Sequence, residues 1–439
     1  MEASRFLTHS LRDPRIARVL ATALDAVEPG HLVAHYLGEN PLPAHERLFL
    51  LGIGKAAEAM TWSAAEASGE DVTSALIITK QSAVPTPFGA SRNVWDALAA
   101  SRGGLHTMQS GHPIPDERSL LAGNRVQDFV SGLEPSDLLL CLISGGGSAL
   151  VAAPSSGVSL ADLQQLTDSL LSSGATIQEV NIVRRHLDRL KGGGLARATR
   201  AAILSLILSD VIGDRLDLVA SGPTVSTPTL DPDASAVLKQ YRIEAPASIL
   251  KALGEQIPVS AGASPGRVKN VLIGNNGLAV EAARKRAELE GFRAEIVAHG
   301  LQGEAQLVGR QMAIALQDAS ANSPRPFCLV AGGETTVSLL DPGLGGRNQE
   351  LALAAVDQLA GLRDTMLLTL ATDGNDGPTD AAGAVVTSET RTRAAALGNV
   401  PNDYLRRHDA YHFFDALGDL LKPGYTGTNV NDLTFLIGL

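Results

Sequence analysis

Stretches of apolar residues that end at glycines recur along this chain. The run 138–143 contains six apolar residues and is followed by Ser144, three glycines and Ser148. A short apolar run bounded by turn residues is typical of a buried strand, and residues 149–153 favour a helix. Similar runs end at glycines after residues 48–51 and 327–331. The pattern predicts alternating strands and helices, as in an α/β protein.

A helix is predicted over residues 12–38, because apolar residues recur there at helical spacing. Another helix, rich in basic residues, is predicted to end at the triple glycine 192–194, since glycine commonly terminates helices. The residues that define the first helix are Ile16, Val19, Leu20, Leu24 and Val27.

The 439 residues are enough for two domains. Residues 225–265 are rich in proline, serine and aspartate, as expected at a domain boundary. A second strand–helix–strand pattern begins at Val268. We therefore predict two α/β domains, residues 1–255 and 256–439, with largely parallel, helix-covered sheets.

Composition and charge narrow the functional classes. The hydrophobic fraction is 44% and the charged fraction 19%, as in ordinary globular proteins. The net charge of 36 − 47 = −11 argues against nonspecific binding to nucleic acid or membrane surfaces. No signal-peptide pattern and no apolar run of about 18 residues occurs, so we expect a cytoplasmic protein. Cys141 and Cys328 lie in apolar runs and are predicted to be buried thiols.

The segment Ser144-Gly-Gly-Gly-Ser148, here called the glycine loop, is the first candidate for ligand binding. Glycine lets the backbone approach a phosphate without a Cβ in the way, and N–H groups at a helix start attract anions. We therefore expect the loop to bind a phosphate. The same pattern also fits an ordinary tight turn between a strand and a helix, and the loop alone does not separate the two interpretations.

A weak dinucleotide-binding pattern, G-x-G-x-x-A, is formed by Gly52, Gly54 and Ala57. A NAD site would need an acid at the end of the next strand to bind the ribose diol, but Lys80 is found there. Lys55 lies in the same turn, at the mouth of the predicted helix, where its ammonium group can bind a phosphate or a carboxylate.

Basic residues cluster ahead of the triple glycine in this acidic protein. Cations are favoured at the C-terminus of any helix, but a cluster of this size also suits an anionic substrate. Arg347 is predicted in the first turn of another helix, where the helix dipole disfavours a cation, so an anionic partner is expected. The cluster comprises Arg184, Arg185, His186, Arg189 and Lys191.

Acidic residues follow several predicted strands. Carboxylates at the carboxyl ends of strands lie where α/β enzymes bind ligands, and they can hold Mg²⁺ or accept a proton. The spacing of the last three does not match an EF-hand loop, but it fits a water-rich Mg²⁺ site or hydrogen bonds to hydroxyls. The acids are Asp210, Asp214, Glu334, Asp373, Asp376 and Asp380.

The loop 106–116 is rich in proline and glycine and has two interpretations. It is either a connector into a predicted helix over 117–131 or a loop that faces the substrate. In the second case, His112 is held in place by its neighbours Gly111 and Pro113.

Taken together and in order, these motifs resemble the glycerate 2-kinase family, also called the MOFRL family after its C-terminal domain. The resemblance covers nearly the whole chain; each motif is weak alone, but the ordered set is specific. The third glycine after Lys191 is a small departure that puts nothing catalytic in doubt. The motifs are Ser144-Gly-Gly-Gly-Ser148, Lys191-Gly-Gly, Ser209-Asp-Val-Ile-Gly-Asp214, Ser221-Gly-Pro-Thr224, Gly332-Gly-Glu-Thr335, Gly346-Arg-Asn-Gln-Glu350, Thr372-Asp-Gly-Asn-Asp-Gly-Pro-Thr-Asp380 and Thr426-Gly-Thr-Asn-Val-Asn-Asp432.

The resemblance implies ATP-dependent phosphorylation of D-glycerate to 2-phosphoglycerate. It implies a Rossmann-like N-terminal domain and a MOFRL-type C-terminal domain, with the active site in the cleft between them. The expected cofactors are ATP and Mg²⁺, and the expected partners are glycerate and nucleotide, with no nucleic acid and no membrane. The sequence leaves the oligomeric state open and allows a homodimer.

Phosphoryl transfer needs a phosphate cradle, cations, Mg²⁺ and a group near the attacking hydroxyl. Lys55 and Arg347 resemble the cations that neutralise the moving phosphoryl group or bind the glycerate carboxylate. Asp210 is the candidate for orienting or deprotonating the 2-hydroxyl, and Asp214 or Asp373 is expected near the metal. Nucleotide binding is assigned to Gly145, Gly146, Gly147, Ser148, Gly332, Gly333 and Glu334, and substrate binding to Lys55, Ser144, Arg184, Lys191 and Arg347.

Two other functions compete with this one. Some members of the family have been named hydroxypyruvate reductases, and the G-x-G-x-x-A pattern is superficially compatible with NAD(P)H. The missing ribose-binding acid argues against that activity, and Lys80 would help only with NADP. A noncatalytic sugar-acid binding protein is disfavoured by the several glycine loops that occur together with acids and cations at strand ends.

Overall fold

The computed structural model describes residues 1–80, 104–112, 114–226, 234–254, 266–338 and 343–439. They form two compact units, each with its own six-stranded sheet. We call Pro29–Gly274 the central unit, and Met1–Glu28 together with Asn275–Leu439 the terminal unit. The predicted fold class, two helix-covered α/β units, is confirmed. Among the described residues, no helix is long and apolar enough to cross a membrane.

The secondary structure alternates between strands and helices along most of the described chain. The strands are β1 (Arg47–Ile53), β2 (Val72–Thr79), β3 (Leu105–Gln109), β4 (Asp137–Ser144), β5 (Ala202–Leu208), β6 (Val268–Gly274), β7 (Arg293–Leu301), β8 (Phe327–Gly333), β9 (Thr365–Ala371), β10 (Gly383–Thr387), β11 (Leu420–Leu421) and β12 (Asp432–Gly438). The α-helices are α1 (Pro14–Asp25), α2 (Pro29–Glu39), α3 (Ala57–Ser68), α4 (Glu117–Ser131), α5 (Gly147–Leu150), α6 (Leu160–Ser172), α7 (Ile177–His186), α8 (Gly194–Arg197), α9 (Ala234–Gln240), α10 (Ala247–Gly254), α11 (Asn276–Leu289), α12 (Ala305–Asn322), α13 (Arg347–Leu359), α14 (Thr390–Ala396), α15 (Pro401–Arg406) and α16 (Ala410–Leu417).

The sheet of the central unit is entirely parallel, in the order β3-β2-β1-β4-β5-β6. Every residue of β4 is buried, as expected of a strand covered by helices on both faces. The strand order reverses between β1 and β4, and doubly wound sheets bind ligands at the carboxyl edge beside such a switch point. The turn 54–56 follows β1 and the glycine loop follows β4, so both lie at this point.

The sheet of the terminal unit is mixed rather than largely parallel, in the order β11-β10-β9-β12-β8-β7. Among the described strands of this sheet, β7 and β8 form the one parallel pair. The last strand, β12, lies antiparallel between β8 and β9, so its first residue, Asp432, pairs with Gly333 and Ala371. An acid from the start of one strand is thereby placed where two others end.

The units are divided differently from the predicted domains. The predicted boundary at 255/256 lies outside the described residues, and the two units divide between Gly274 and Asn275. The strand β6, predicted to open the second domain, instead pairs with β5 and completes the first sheet. The predicted helix over 12–38 is two helices, because Pro29 cannot continue a helix but suits the first position of α2. The break separates α1, in the terminal unit, from α2, in the central unit.

Candidate functional site

The glycine loop connects β4 to the single-turn helix α5. Gly146 has φ +82°, a left-handed conformation that is unfavourable for residues with a side chain. The N–H groups of Gly146, Gly147 and Ser148 donate no hydrogen bond within the described part of the chain. Successive N–H groups of this kind can bind an anion. Since α5 has only four residues, its dipole adds little, and the backbone N–H groups themselves form the cradle.

The turn after β1 packs directly on the glycine loop. The N–H of Lys55 donates to the Gly145 carbonyl (3.0 Å), and the N–H of Ala56 donates to Ser144 Oγ (3.0 Å). Gly54, at φ +129°, passes so close to Ser144 that a Cβ would overlap it. Ser144, assigned to the substrate from the sequence, therefore hydrogen-bonds inside the protein. The N–H groups of Lys55 and Ala56 are likewise hydrogen-bonded within the protein, so they are not available to a dinucleotide pyrophosphate.

Basic side chains from several elements approach the glycine loop. A Cβ on Gly146 would lie 3.2 Å from both His112 Nε2 and Lys55 Cγ. Burial, together with the charges of Lys55, Lys80 and Arg184, lowers the pKa of His112 to about 4. The imidazole is therefore neutral near pH 7, and it lies in a region of positive potential. An anion on the glycine loop would be stabilised by this potential.

Among the cations predicted to bind the substrate, Arg184 in the last turn of α7 has the surroundings that best suit a bound anion. Its side chain is partly buried, and it forms no hydrogen bond or ion pair with any residue that the structure describes. Burial lowers the pKa of this guanidinium group below its ordinary value. An unpaired, partly buried cation is costly, and a bound anion would offset that cost.

Lys191 has its partners inside the protein. Its ammonium group bonds Asp188 Oδ2 (2.5 Å) and the Val151 carbonyl (3.1 Å) in a buried setting. Asp188 also accepts the N–H of Leu190 (2.9 Å), which holds the chain in a turn. The helix consequently ends at His186 rather than at the triple glycine, and Lys191 supports the turn below the glycine loop.

Asp210 follows β5 and lies against the glycine loop. A Cβ on Gly145 would overlap its carboxylate, so only glycine fits there. Burial raises the pKa of Asp210 above its ordinary value, and the charge of Lys55 opposes this shift. The structure thus brings Lys55, Asp210 and the glycine loop together. Asp214 lies four residues further on, in a loop with φ +52°.

In the terminal unit, Arg347 begins α13 and is held by carboxylates. Its Nε and Nη2 atoms donate to Asp432 Oδ2 (2.6 Å) and Oδ1 (3.1 Å), and Nη1 lies 2.9 Å from Glu334 Oε1. Burial lowers the pKa of Arg347, but the carboxylates of Asp432, Glu334 and Asp376 outweigh it and raise the pKa overall. The anionic partners expected from the sequence are therefore supplied by the protein itself.

The N-terminus of α13 is occupied by Asp376. Its carboxylate accepts the N–H groups of Asn348 (3.1 Å) and Gln349 (2.8 Å). Only 2% of this residue is exposed, and burial together with Asp432 raises its pKa to about 7. Because these N–H groups are bonded to Asp376, this helix start differs from the glycine loop.

Gly332 and Gly333, assigned to the nucleotide from the sequence, have a packing role in the structure. A Cβ on Gly332 would overlap the Asn276 side chain, and one on Gly333 would overlap the backbone of Leu301. Both neighbours belong to the terminal unit, so these glycines let α11 and β7 lie close to β8.

The two predicted metal ligands lie in different units, Asp214 in the central unit and Asp373 in the terminal unit. Asp373 follows β9 and accepts the N–H of Asn375 (3.1 Å). Among the residues that the structure describes, no three His, Cys, Asp or Glu side chains are arranged to hold a metal ion.

Comparison with known proteins places these features in a family. The model of a domain of unknown function (DUF4147) matches residues 15–254, and the MOFRL family model matches residues 327–432. The chain is 39% identical to D-glycerate 2-kinase of Thermotoga maritima, over 96% of each protein. The chain belongs to the glycerate kinase family.

A solved member of the glycerate kinase family has the same fold. The crystal structure of the Thermotoga maritima glycerate kinase matches with a TM-score of 0.83 and 37% identity, over 96% of this chain and 98% of that chain. A protein of Agrobacterium vitis, whose name proposes a hydroxypyruvate reductase, is 39% identical over 96% of this chain and 94% of its own length.

Local sequence patterns do not single out two residues of these sites, His112 and Asp432. The sequence pattern places His112 in a loop with two interpretations, and proximity to Gly146 of the glycine loop distinguishes it from His106. Asp432 ends one of the family motifs, but the strand pairing that brings it to Arg347 joins residues distant in sequence.

Proposed function

We propose that this member of the glycerate kinase family phosphorylates D-glycerate to 2-phosphoglycerate with ATP. The observation that supports this most is the glycine loop at the switch point, whose N–H groups at residues 146–148 donate to no described residue, with Lys55, Arg184 and Asp210 around it. The relative named D-glycerate 2-kinase supports the choice of substrate and of the 2-hydroxyl.

Nucleotide phosphates would bind to the N–H groups of residues 145–148. Lys55 and Arg184 would offset their negative charge, and Lys55 would stabilise the moving phosphoryl group. Arg347 would act on the same charge or on the glycerate carboxylate, with Asp432 holding its guanidinium group in place. Glu334, whose Oε1 lies 2.9 Å from Arg347 Nη1, is proposed to take part in nucleotide binding.

Asp210 would orient or deprotonate the attacking 2-hydroxyl of D-glycerate. A raised pKa brings a carboxylate nearer to the working pH, which makes it a better proton acceptor than an exposed aspartate. The neighbouring Lys55 favours the charged form that accepts the proton.

Mg²⁺ fits this proposal as an ion that binds together with the substrate phosphates. The ion usually keeps several waters and binds one or two carboxylates together with substrate phosphates, so a ready-made cluster of protein ligands is not required. Asp214 and Asp373 are the proposed carboxylates. When bound, the ion would supply positive charge to the phosphate oxygens of ATP.

We also propose a cytoplasmic location, and we keep a homodimer as the oligomeric state to be tested. The buried free thiols of Cys141 and Cys328 suit a reducing compartment. Size-exclusion chromatography with light scattering would measure the oligomeric state.

The deciding experiment is an assay of ADP release from the purified protein with ATP, Mg²⁺ and D-glycerate. NADH consumption with hydroxypyruvate is followed in parallel. We expect ADP only when glycerate is present, and ³¹P NMR of the product should show the 2-phosphate. NADH loss without ADP release would instead establish a reductase, and silence in both assays would favour a binding protein.

The reductase alternative has little structural support. Its G-x-G-x-x-A turn bonds the glycine loop through the N–H groups of Lys55 and Ala56, which a dinucleotide would need for its own phosphates. The strand β2 ends at Thr79 and is followed by Lys80, so no acid is present there to bind a ribose diol.

A further inference from the structure

The two residues that precede His112 are each hydrogen-bonded to a neighbouring part of the central unit. Ser110 Oγ, two residues earlier, donates to the Leu150 carbonyl at the end of α5 (2.7 Å). The N–H of Gly111 donates to Asp116 Oδ1 (3.2 Å), and Asp116 caps α4. The segment is therefore attached both to the helix that follows the glycine loop and to its own helix. These bonds hold the backbone just before His112, whose imidazole lies next to Gly146.

The charged groups that face His112 come from three other elements and are all cations. Lys55 approaches from the turn after β1, Lys80 follows β2, and Arg184 approaches from α7. Asp210, after β5, acts on Lys55. On the segment of His112 itself, Asp116 is paired with Arg118 (2.7 Å). Burial and the positive charges of these three side chains together keep the imidazole neutral.

An oxyanion on the glycine loop would reverse this balance. Its negative charge would offset the three cations and favour the protonated ring, so the pKa of His112 would rise on binding. By linkage, a group whose pKa rises on binding takes up a proton, and binding tightens as the pH falls through the pKa of the complex towards the lower pKa of the free protein. Far above that pKa, the effect vanishes.

We propose that His112 is a binding residue of the glycine-loop site, where its imidazole donates a hydrogen bond to a bound phosphate or carboxylate oxyanion and takes up a proton from solvent as that oxyanion binds. This rests on the proposed kinase function only in naming the oxyanion as an ATP phosphate or the glycerate carboxylate. The ring acts alongside the backbone cradle, and it makes the affinity of the site depend on pH.

Isothermal titration calorimetry tests this with two probes, D-glycerate and sulfate, neither of which titrates between about pH 6 and pH 8. Sulfate represents a phosphate group, and glycerate represents the carboxylate. Titrations near pH 6.5 in two buffers with different ionisation enthalpies measure proton uptake. The probe that binds at the glycine loop should be taken up together with protons and should bind more tightly at pH 6 than at pH 8. The probe that shows this behaviour identifies the oxyanion as a phosphate group or a carboxylate.

His112→Gln keeps an N–H donor but cannot become a cation. It should abolish the proton uptake, remove the pH dependence and weaken the binding of that probe about tenfold, as expected when a charge-assisted hydrogen bond is replaced by a neutral one. His106→Gln is the matched control, because His106 is exposed on β3 and should leave all three quantities unchanged.

Normal proton uptake and affinity in the His112→Gln variant would overturn the proposal. If this variant and His112→Asn both fail to fold, the wild-type titrations still decide, because no proton uptake with either probe contradicts the proposal. Failure of the kinase function gives a different result, namely no ADP release by the wild-type protein with D-glycerate. The calorimetry then still reports whether an oxyanion binds at His112.

Discussion

Lys55 and Arg347 are both cations at the start of a helix, but their surroundings differ. Lys55 lies beside the glycine loop, close to Asp210 and His112. Arg347 forms a two-bond pair with Asp432 and a contact with Glu334. Removing Arg347 leaves a largely buried acid without its partner, so its loss should affect both stability and activity.

We expect Lys55→Ala to lower kcat/KM for glycerate phosphorylation by about 100-fold or more, because a cation at the transferring phosphoryl group is lost.

Arg347→Ala should lower kcat/KM and also the midpoint of thermal unfolding, whereas Arg347→Lys should recover part of the stability. Lys251→Ala, an exposed site on α10, is the control and should match the wild type. Near wild-type kcat/KM in Lys55→Ala or Arg347→Ala would refute its assignment.

Asp376 should make stability depend on pH. Its carboxyl has a pKa of about 7 in the folded protein and an ordinary value of 3.8 when unfolded. Between these values the folded state binds more protons, so the free energy of unfolding falls as the pH rises from about 4 to about 7 and then levels off. The shift corresponds to a loss of up to about 4 kcal/mol.

Urea denaturation at several pH values checks this through the difference between the wild type and Asp376→Asn, which lacks the titrating group. Asp380→Asn is the control, because hydrogen bonds from Tyr411 lower the pKa of Asp380 and its contribution has the opposite sign. A difference between wild type and Asp376→Asn that stays constant from pH 4.5 to 7.5 would contradict the expectation.

At the scale of elements, the glycine loop shows how one conformation serves two purposes. The left-handed Gly146 turns the chain from β4 into α5, and its missing side chain leaves room beside His112 and Lys55. The loop is supported by a second strained segment, in which Ala220 and Ser221 have φ of +50° and +60°. The Ser221 hydroxyl lies 2.8 Å from Ser148 Oγ and 2.8 Å from Asn181 Oδ1, which links α5 to the helix that carries Arg184.

Gly146→Ala and Gly157→Ala form a matched pair that separates these purposes. Both glycines have φ +82°, so each alanine should cost about 1–2 kcal/mol of stability. Only the Cβ at residue 146 meets other atoms, since nothing lies within 4 Å of the one at residue 157. We therefore expect similar losses in unfolding free energy, but a drop in kcat/KM of tenfold or more in Gly146→Ala alone. Equal activity in the two variants would argue against a site at the loop.

Some elements end differently from their sequence pattern because of side chains distant in sequence. The apolar periodicity over 12–38 continues across residues 26–28. There, however, the helix ends and the chain passes from the terminal unit to the central unit. The helix α7 ends before its glycines because Asp188 bonds nearby backbone N–H groups, including that of Ala153. Apolar periodicity indicates which face of a helix is buried, but it does not indicate which of the two units the helix packs against.

At the scale of the molecule, the terminal unit is assembled from both ends of the chain. Asp419 is fully buried and accepts bonds from Ser10 N (2.8 Å), Thr8 Oγ1 (3.1 Å) and Arg393 Nη1 (2.7 Å). Arg18 of α1 also pairs with Glu290, at the end of α11. These contacts explain why residues 1–28 belong with the C-terminal sheet.

Asp419→Ala should therefore destabilise the terminal unit by about 3–5 kcal/mol, because it leaves the Arg393 guanidinium without its carboxylate. Limited proteolysis should cut residues 1–28 more rapidly, and the thermal unfolding midpoint should fall. Asp415→Ala removes an exposed acid 3.5 Å from Lys422 and should cost under about 1 kcal/mol. Equal protection of the N-terminal segment in both variants would refute this account.

The sequence alone was sufficient for the features that depend on neighbouring residues. Strand runs, glycine turns and helix starts are local patterns, so the α/β class and the positions of Lys55, Asp210 and the glycine loop could be predicted. The family motifs then gave the substrate and the reaction to be tested. These signals are local because strand burial, backbone φ and N–H exposure depend mainly on a few consecutive residues.

Only the tertiary structure decided which residues from distant parts of the chain meet. It placed β6 in the first sheet, joined residues 1–28 to the second, and inserted β12 so that Asp432 reaches Arg347. It also brought His112 to Gly146 and left Arg184 without a partner in the described chain, while Lys191 found one. Strand pairing and ion pairing are long-range contacts, so the same charged residue can be a ligand group or a structural one until the fold is known.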